Sequence, residues 1–595
     1  MNFTTRPELV GTFGMVSTTH WLASSSAMAV LEKGGNAFDA AGAAGFVLQI
    51  VEPHLNGPGG EVPILLRSAQ EGKVRVVCGQ GVAPRGLSIA HIRGLGLDVV
   101  PGTGLLPAVV PGAFGAWMLM LRDYGSLPLG DILSYAIGYA ASGFPAVPRM
   151  CASILSGRDF FLSEWPTSAE AWLVDGDAPR PGHLFRSPKI AATFQRIVDE
   201  AQACGPDVAA QMTRATEVFY KGFVAEAVHR FFQQEAVLDT SGRRNRGVMD
   251  ADDLASWQAT YEEPVSYRYA GHEVHKTGPW GQGPVFLQQL ALLKGFDLEA
   301  MPPTSPDFVH VVTECAKLAF ADREIFYGDP DFNEVPIETL LSDAYNDARR
   351  KHVDMASASH ELQPGRIEGM ESRLEFLLAN AGKGDVSTFG TGEPTFAVLP
   401  EMRGDTVHVD VVDRWGNMVS ATPSGGWLQA SPTIPDLGFC MTTRGQMFWL
   451  DEAMPSGLAP GRRPRTTLTP TLVTRDGEAA IALGTPGGDQ QDQWSVQLLL
   501  RHLHHRMNLQ EAIDAPTFQT AHFPASFYPR GMRPGHLAVE ARFPAETIEA
   551  LRDRGHLMDV KGPWDLGRLC AVGLRDGRMF GAASPRYMQG YAIGR

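Results

Sequence analysis

No C-x-x-C pair occurs in this 595-residue chain, and its six cysteines (Cys78, Cys151, Cys204, Cys315, Cys440 and Cys570) lie far apart. That pattern supports neither a disulfide framework nor a cysteine zinc site. A Lys/Arg block is missing too. The densest basic patch, Arg462, Arg463 and Arg465, is too small for a footprint on nucleic acid, and the net charge of −15 argues the same way. Ala40 to Leu48, the longest apolar run near the start, falls far short of the roughly 20 residues that span a bilayer. The opening MNFTTRPELV has no basic region followed by an apolar stretch, so no secretory signal is expected and the cytoplasm is the default. No G-x-G-x-x-G opens a helix after a strand, and no G-x-S-x-G occurs, which sets aside dinucleotide binding and serine-hydrolase chemistry. Gly94-Leu95-Gly96 is only a flexible turn.

What is present fits an ordinary globular protein, 44% apolar and 20% charged. The length exceeds a single core, so two folding units or one large layered domain are expected. Without internal repeats, the chain reads as mixed α/β. Ser24 to Lys33 is amphipathic and ends at Gly34-Gly35, which supply helix-stopping freedom. Asn36 then has the character of an N-cap, with Asp39 facing the helix dipole, and the Ala/Gly-rich stretch after it predicts a buried helix. Further helices are expected at 306–327 and 493–506. In the latter, His502, His504 and His505 lack a carboxylate or cysteine at ligand spacing and read as an exposed run, not a metal site. Val407 to Asp413, Arg414–Asn417 and Met418 to Thr422 form a hairpin signal, as do Thr471 to Thr474, Arg475–Gly477 and Ala479 to Leu483. The polar, glycine-punctuated 345–405 segment predicts an exposed tether.

The chemistry centres on Thr406. It opens the first hairpin directly after Gly404-Asp405. Cleavage of the Asp405–Thr406 bond would give Thr406 a free α-amine beside its hydroxyl, a nucleophile and a general base in one residue. If the Arg414–Asn417 turn is symmetric, paired residues have numbers summing to about 830, which sets Thr406 opposite Ser424 or Gly425. The second hairpin runs into Gly484-Thr485-Pro486-Gly487-Gly488, where successive backbone N–H groups can serve as an oxyanion hole. Taken singly, a threonine starting a strand is usually structural and a Gly-Gly after a strand is usually a turn.

At these residues the chain resembles the γ-glutamyltransferase family of autoprocessed N-terminal-nucleophile hydrolases. The matching motifs run in order: Lys33-Gly34-Gly35-Asn36-Ala37-Phe38-Asp39, Val51-Glu52-Pro53-His54, Val110-Pro111-Gly112, Tyr124 to Pro128, Leu318 to Arg323, Gly328 to Asp331, Thr406-Val407-His408, Arg463 to Pro470, Pro486-Gly487-Gly488 and Glu511 to Pro516. The resemblance implies an α+β, four-layer αββα sandwich. It also implies a proenzyme cut into a large subunit, 1–405, and a small one, 406–595. Thr406 would be the nucleophile, Ser424 its supporting hydroxyl, Gly487 and Gly488 the oxyanion donors. Thr466 and Thr467 would hold the substrate carboxylate, with Thr422 also placed at the substrate. No cofactor, metal, nucleic acid or membrane is implied. The partners are a small amide and the two subunits of one precursor, a dimer of such units being open.

Departures bear on the substrate. The family's glutamyl-binding arginine falls near Ile89, and its amino-group motif is replaced around Trp449 to Met454. Gly426 stands where the family has an asparagine. Arg444 and Arg93 are the candidate replacement cations. The pattern is nearer to small-acid amide hydrolases of the oxamate amidohydrolase kind. A glutathione-processing transferase, a cephalosporin-type acylase using Trp427, Trp449 and Phe448 as an acyl pocket, and a non-catalytic binding paralogue are the alternatives.

Overall fold

Residue-by-residue alternation decides how the layers form. In the strand Val409–Asp413, Val409 and Val411 point into one core, while Val412 points into another. Met15 and Val16 part in the same way, as do Leu472 and Val473, because successive side chains of a strand leave opposite faces. The computed structural model describes residues 3–383 and 406–595.

Two seven-stranded sheets result. One runs Leu9–Gly11, Arg578–Ala583, Cys570–Arg575, Glu478–Gly484, Thr471–Arg475, His272–Lys276, Val265–Tyr269. The other runs Tyr591–Gly594, Gly14–Thr18, Val409–Asp413, Met418–Ala421, Val62–Ser68, Lys73–Gly79, Thr260–Glu262. Every ladder in both is antiparallel, so the mixed composition resolves as α+β and not as parallel βαβ units. Met15, Leu65, Val76, Val412, Leu472, Ala482 and Val572 fill the space between the sheets. Helices Trp21–Glu32, Ala37–Val51 and Ala113–Tyr124 cover one outer face, and Gly283–Leu293, Pro306–Phe326 and Gln491–His505 the other. This is the four-layer αββα sandwich. Both sheets hold hydrogen-bonded neighbours from before and after residue 405, so a cut there leaves the halves joined through their ladders.

Local signals held where the chemistry was local. Asn36 caps Ala37–Val51 in a reciprocal capping box with Asp39, and every residue of that helix is buried. The described part of the expected tether carries two short helices. Asp343–Arg350 and Glu371–Asn380 are helices, Leu377 is buried, and Arg349 pairs with the buried Asp322. Most described residues of 345–383 are nevertheless exposed or half-buried, as expected, and the rest of that segment lies outside the described residues. The histidine run also differs: all three are half-buried, with His502 Nδ1 at the Met507 carbonyl and His504 Nε2 at the Tyr269 hydroxyl. Among the described residues no helix is long and apolar enough to cross a membrane.

One carboxylate ties hairpin to helix. Asp413 accepts from the Ala37, Trp415 and Asn417 amides and from Asn417 Nδ2, at 2.8–3.0 Å. Asp413→Ala is expected to destabilise the fold by about 2–3 kcal/mol, since it orphans several donors at once. A denaturant titration showing no loss would contradict this account of the hairpin.

Candidate active site

The hairpin register brings the first two site residues together. Val409 pairs with Ala421, Asp410 with Ser420 and Val411 with Val419. Carried to the strand end, the same register makes Thr406 and Ser424 bridge partners, as the turn symmetry required. Their hydroxyl oxygens are 3.3 Å apart, and both residues are buried. Thr406, His408, Asp410 and Val412 alternate onto the inter-sheet face. His408 Nε2 meets Asp410 Oδ1 at 2.9 Å and its Nδ1 meets Thr422 Oγ1 at 3.0 Å. Thr422 is thus tied into a strand-side network two residues from Ser424. Burial raises the Asp410 carboxyl, partly offset by His408.

Two buried arginines fix this pair, one from each side. Arg568 donates from Nη2 to the Thr406 carbonyl at 2.7 Å and from Nη1 to Glu52 Oε1 at 3.2 Å, while Thr19 Oγ1 donates to Glu52 Oε2 at 2.9 Å. Burial raises the Glu52 carboxyl and the Arg568 cation draws it back down. Arg444 donates from Nη2 to Ser424 Oγ at 2.6 Å and pairs through Nε with Glu61. Trp427 and Phe527 lie against its guanidinium, 4.8 Å and 5.4 Å to the ring centroids. Arg444 is therefore neither at the surface nor uncommitted: two of its nitrogens are spent on Glu61 and Ser424. A charge-neutral ion pair holds the Ser424 hydroxyl, and breaking one partner of such a pair is costly.

Two nearby imidazoles, His20 and His54, are poor bases. Burial, then the Arg568 cation, pushes His20 down to about 3. Burial, then Arg149, Arg568 and His20, holds His54 well below the usual histidine range. Neither accepts a proton readily near neutrality.

The glycine turn approaches from the other sheet. Its strand ladder ends at the Gly484–Cys570 pair, and a side chain on Gly484 would strike the His408 ring. Arg568 then links the two parts, because its backbone N–H donates to Thr485 Oγ1 at 3.0 Å while its side chain holds the Thr406 carbonyl. Beyond Thr485, Gly487 and Gly488 take φ +131° and +53°, where a β-carbon is disfavoured. A Cβ at Gly487 would also lie 2.2 Å from the Trp494 ring. Gly487→Ala is expected to lower turnover about 100-fold or more by moving the backbone donors. Steady-state kinetics on the purified variant would check it, and near-normal turnover would remove this turn from the chemistry.

The remaining candidates scatter. Thr466 sits against Gly281, its amide donating to the Trp280 carbonyl at 3.0 Å, and the buried Thr467 hydroxyl has no hydrogen-bond partner among the described residues. Asp405 lies outside the described residues. Ile89 begins a short helix whose Arg93 donates to the Leu450 carbonyl, away from Ser424. The three aromatics do not form one pocket: Trp427 packs with Met447 and Phe527, Phe448 with Leu87 and Ile92, and Trp449 lies under Arg530. Gly426 stands at φ +65°, and a Cβ there would lie 3.0 Å from backbone atoms of Gly59 and Gly60, so a side chain at this position is crowded. A cavity of about 530 Å³ lies elsewhere, between Trp172, Phe185 and Gly438. His310, Glu314 and His556 form a metal-like cluster, but Glu314 already holds Lys317 Nζ, and His310 Nδ1 faces His556 Nε2 at 2.8 Å. Those ligand atoms are occupied by each other and by a competing cation.

Glu52, Glu61 and Arg568 were not singled out as site residues by sequence reasoning. Glu52 lies inside a quoted motif, so a buried acid was visible there. Arg568 sits in Gly567-Arg568-Leu569 with no local signal at all.

The γ-glutamyltranspeptidase family model matches residues 23–594. The chain is 29% identical to the glutathione hydrolase-like YwrD proenzyme of Bacillus subtilis (strain 168), covering 99% of each. It is 54% identical to the solved structure of LmbA2991HD, with a TM-score of 0.92 and full coverage of both chains. A crystal structure of cephalosporin acylase from Bacillus halodurans is 28% identical, with a TM-score of 0.83, over 100% of this chain and 98% of that one.

Proposed function

This chain belongs to the γ-glutamyltranspeptidase family, and on that premise we propose that it is a proenzyme which cuts itself at Asp405–Thr406 and then hydrolyses a small acid amide. At the coarser level it is an amide hydrolase or acyltransferase of that family. The observation that carries the finer reading is the Thr406–Ser424 pair. Its hydroxyls are 3.3 Å apart, one braced by Arg444 and the other's backbone by Arg568.

In maturation, Thr406 Oγ1 attacks the Asp405 carbonyl carbon. The C–N bond breaks, an ester forms between Asp405 and Thr406, and the nitrogen becomes a free amine. Water then hydrolyses the ester and releases residues 1–405 from 406–595.

In turnover the new amine, ordinarily near pKa 8, takes the Thr406 hydroxyl proton. Ser424 Oγ accepts from Arg444, which frees its own O–H to donate to Thr406 Oγ1 and steady the developing alkoxide. The oxygen attacks the substrate carbonyl, and the Gly487 and Gly488 N–H groups take the oxyanion. The leaving amine departs with the proton, and water cleaves the acyl ester. His20 and His54 are too weakly basic to replace the amine.

N-terminal sequencing of the purified protein, followed by assays on γ-glutamyl, oxamate-like and glutaryl amides, tests this. The expected small fragment begins Thr-Val-His, and an acidic non-γ-glutamyl amide is the best substrate. A fully active uncut chain would overturn the mechanism. A clear preference for γ-glutamyl amides with a dipeptide acceptor would instead mark a transferase.

A further inference from the structure

A lysine and an aspartate meet in the interior, away from solvent altogether. Lys276 ends the strand His272–Lys276, and its Nζ lies 3.1 Å from Asp492 Oδ1, with both side chains fully buried. The ammonium also donates to the Thr471 hydroxyl at 2.8 Å and to the Thr469 carbonyl at 3.1 Å. Thr469 closes the ring, its Oγ1 donating to Asp492 Oδ1 at 2.8 Å. All three ammonium hydrogens are thus used, whereas Asp492 Oδ2 has no partner among the described residues. Replacing such a pair by apolar residues is often neutral or stabilising, so stability alone gives no reason for it to be here.

Three segments of the site join at this pair. Asp492 lies in the first turn of Gln491–His505, the helix that follows the Gly487–Gly488 turn with only Asp489, Gln490 and Gln491 between. Thr469 and Thr471 continue the chain from Thr466 and Thr467. The loop after Lys276 touches both. Its Gln282 amide donates to the Thr466 carbonyl at 3.0 Å, and Gln282 Nε2 reaches the Gly488 carbonyl at 3.4 Å. One ammonium and one carboxylate, bridged by two threonines, therefore set the glycine turn against the threonine segment.

We propose that Lys276 and Asp492 are positioning residues: their charged pair fixes the Gly487–Gly488 donors relative to Thr466 and Thr467, and neutralising Asp492 slackens the turn. This rests on the acyl-transfer reading above. The charge of the pair changes in mildly acidic solution. Burial pushes the Asp492 carboxyl up to about 6, against Lys276, Thr469 and Arg323, and burial draws the Lys276 ammonium down against Asp492. Besides Lys276, Asp492 faces Arg323, which is already paired with Glu324 and Asp489, and the Tyr327 hydroxyl, which burial keeps neutral.

The test follows glutaryl-4-nitroanilide and γ-glutamyl-4-nitroanilide from mildly acidic to mildly basic pH. At mildly basic pH, Asp492→Asn is expected to lower kcat roughly 10- to 100-fold with KM little changed, since displaced donors weaken the transition state and not the bound substrate. The wild-type-to-variant kcat ratio, in which the Thr406 amine cancels, should fall toward one as pH drops below about 6. The double variant Lys276→Met, Asp492→Leu should melt like wild type yet keep the loss of kcat. A ratio independent of pH, or a double variant with wild-type kcat, overturns the proposal. Hydrogen exchange separates it from the reaction itself. At mildly basic pH, peptides covering 485–490 should exchange roughly 10-fold faster in Asp492→Asn than in wild type, and the gap should close in acid. If wild type cleaves neither amide and this gap is seen, the positioning stands and the reaction falls. Equal exchange in the two proteins at both pH values sinks the positioning.

Discussion

Thr406→Ala is expected to leave one uncut polypeptide of 595 residues and to remove amide hydrolysis by about 10⁴-fold or more. The reason is that a single oxygen serves twice, first against its own backbone and then against substrate. Alanine keeps the Thr406–Ser424 bridge and the Arg568 contact to the carbonyl, both of which use backbone or the partner's atoms. The fold should therefore survive, and gel electrophoresis with mass spectrometry reads only the chemistry. Thr406→Ser keeps a hydroxyl and an amine and should still cut itself, more slowly. Two fragments from Thr406→Ala would move the nucleophile elsewhere.

The second large effect belongs to Arg568, a residue with no local sequence signal. Arg568→Met leaves Glu52 buried without its cation and frees the Thr406 carbonyl. Breaking one side of such a buried pair costs about 3–5 kcal/mol, and self-cleavage should slow on the order of 100-fold, consistent with loss of a positioned group. The pH dependence has a definite sign. Burial already raises the folded-state Glu52 carboxyl above its unfolded value, with Arg568 opposing it, so removing the cation raises it further. A carboxyl raised on folding costs stability at pH above that folded value, and the cost disappears as pH falls toward the unfolded range. The stability deficit of Arg568→Met should therefore shrink on acidification. Denaturant midpoints in the uncut Thr406→Ala background would show it. A deficit independent of pH would mean that Glu52 is not the group left stranded. Arg568→Met with Glu52→Gln should regain stability without regaining fast cleavage.

Particular elements show how far the sequence reached. The helix Ala37–Val51 was legible because its cap and its unbroken apolar surface are local properties. The Thr406–Ser424 pairing was legible because a short symmetric turn transmits register along an antiparallel ladder without outside help. Arg444 was singled out as a cation, but its partner could not be read from the sequence. Its partner Glu61 is several hundred residues away in the chain, and no spacing rule connects them.

The sequence alone therefore determined what depends on neighbours in the chain: capped helices, two hairpins, the antiparallel offset that faces Thr406 with Ser424, and the ordered motifs of the family. Only the tertiary structure decided which charges meet. Arg568 with Glu52 and Arg444 with Glu61 follow from how the two sheets stack and which loops close their common edge. Burial and pairing of a charge are properties of space, since electrostatic energy falls with distance through the folded medium and takes no account of distance along the chain.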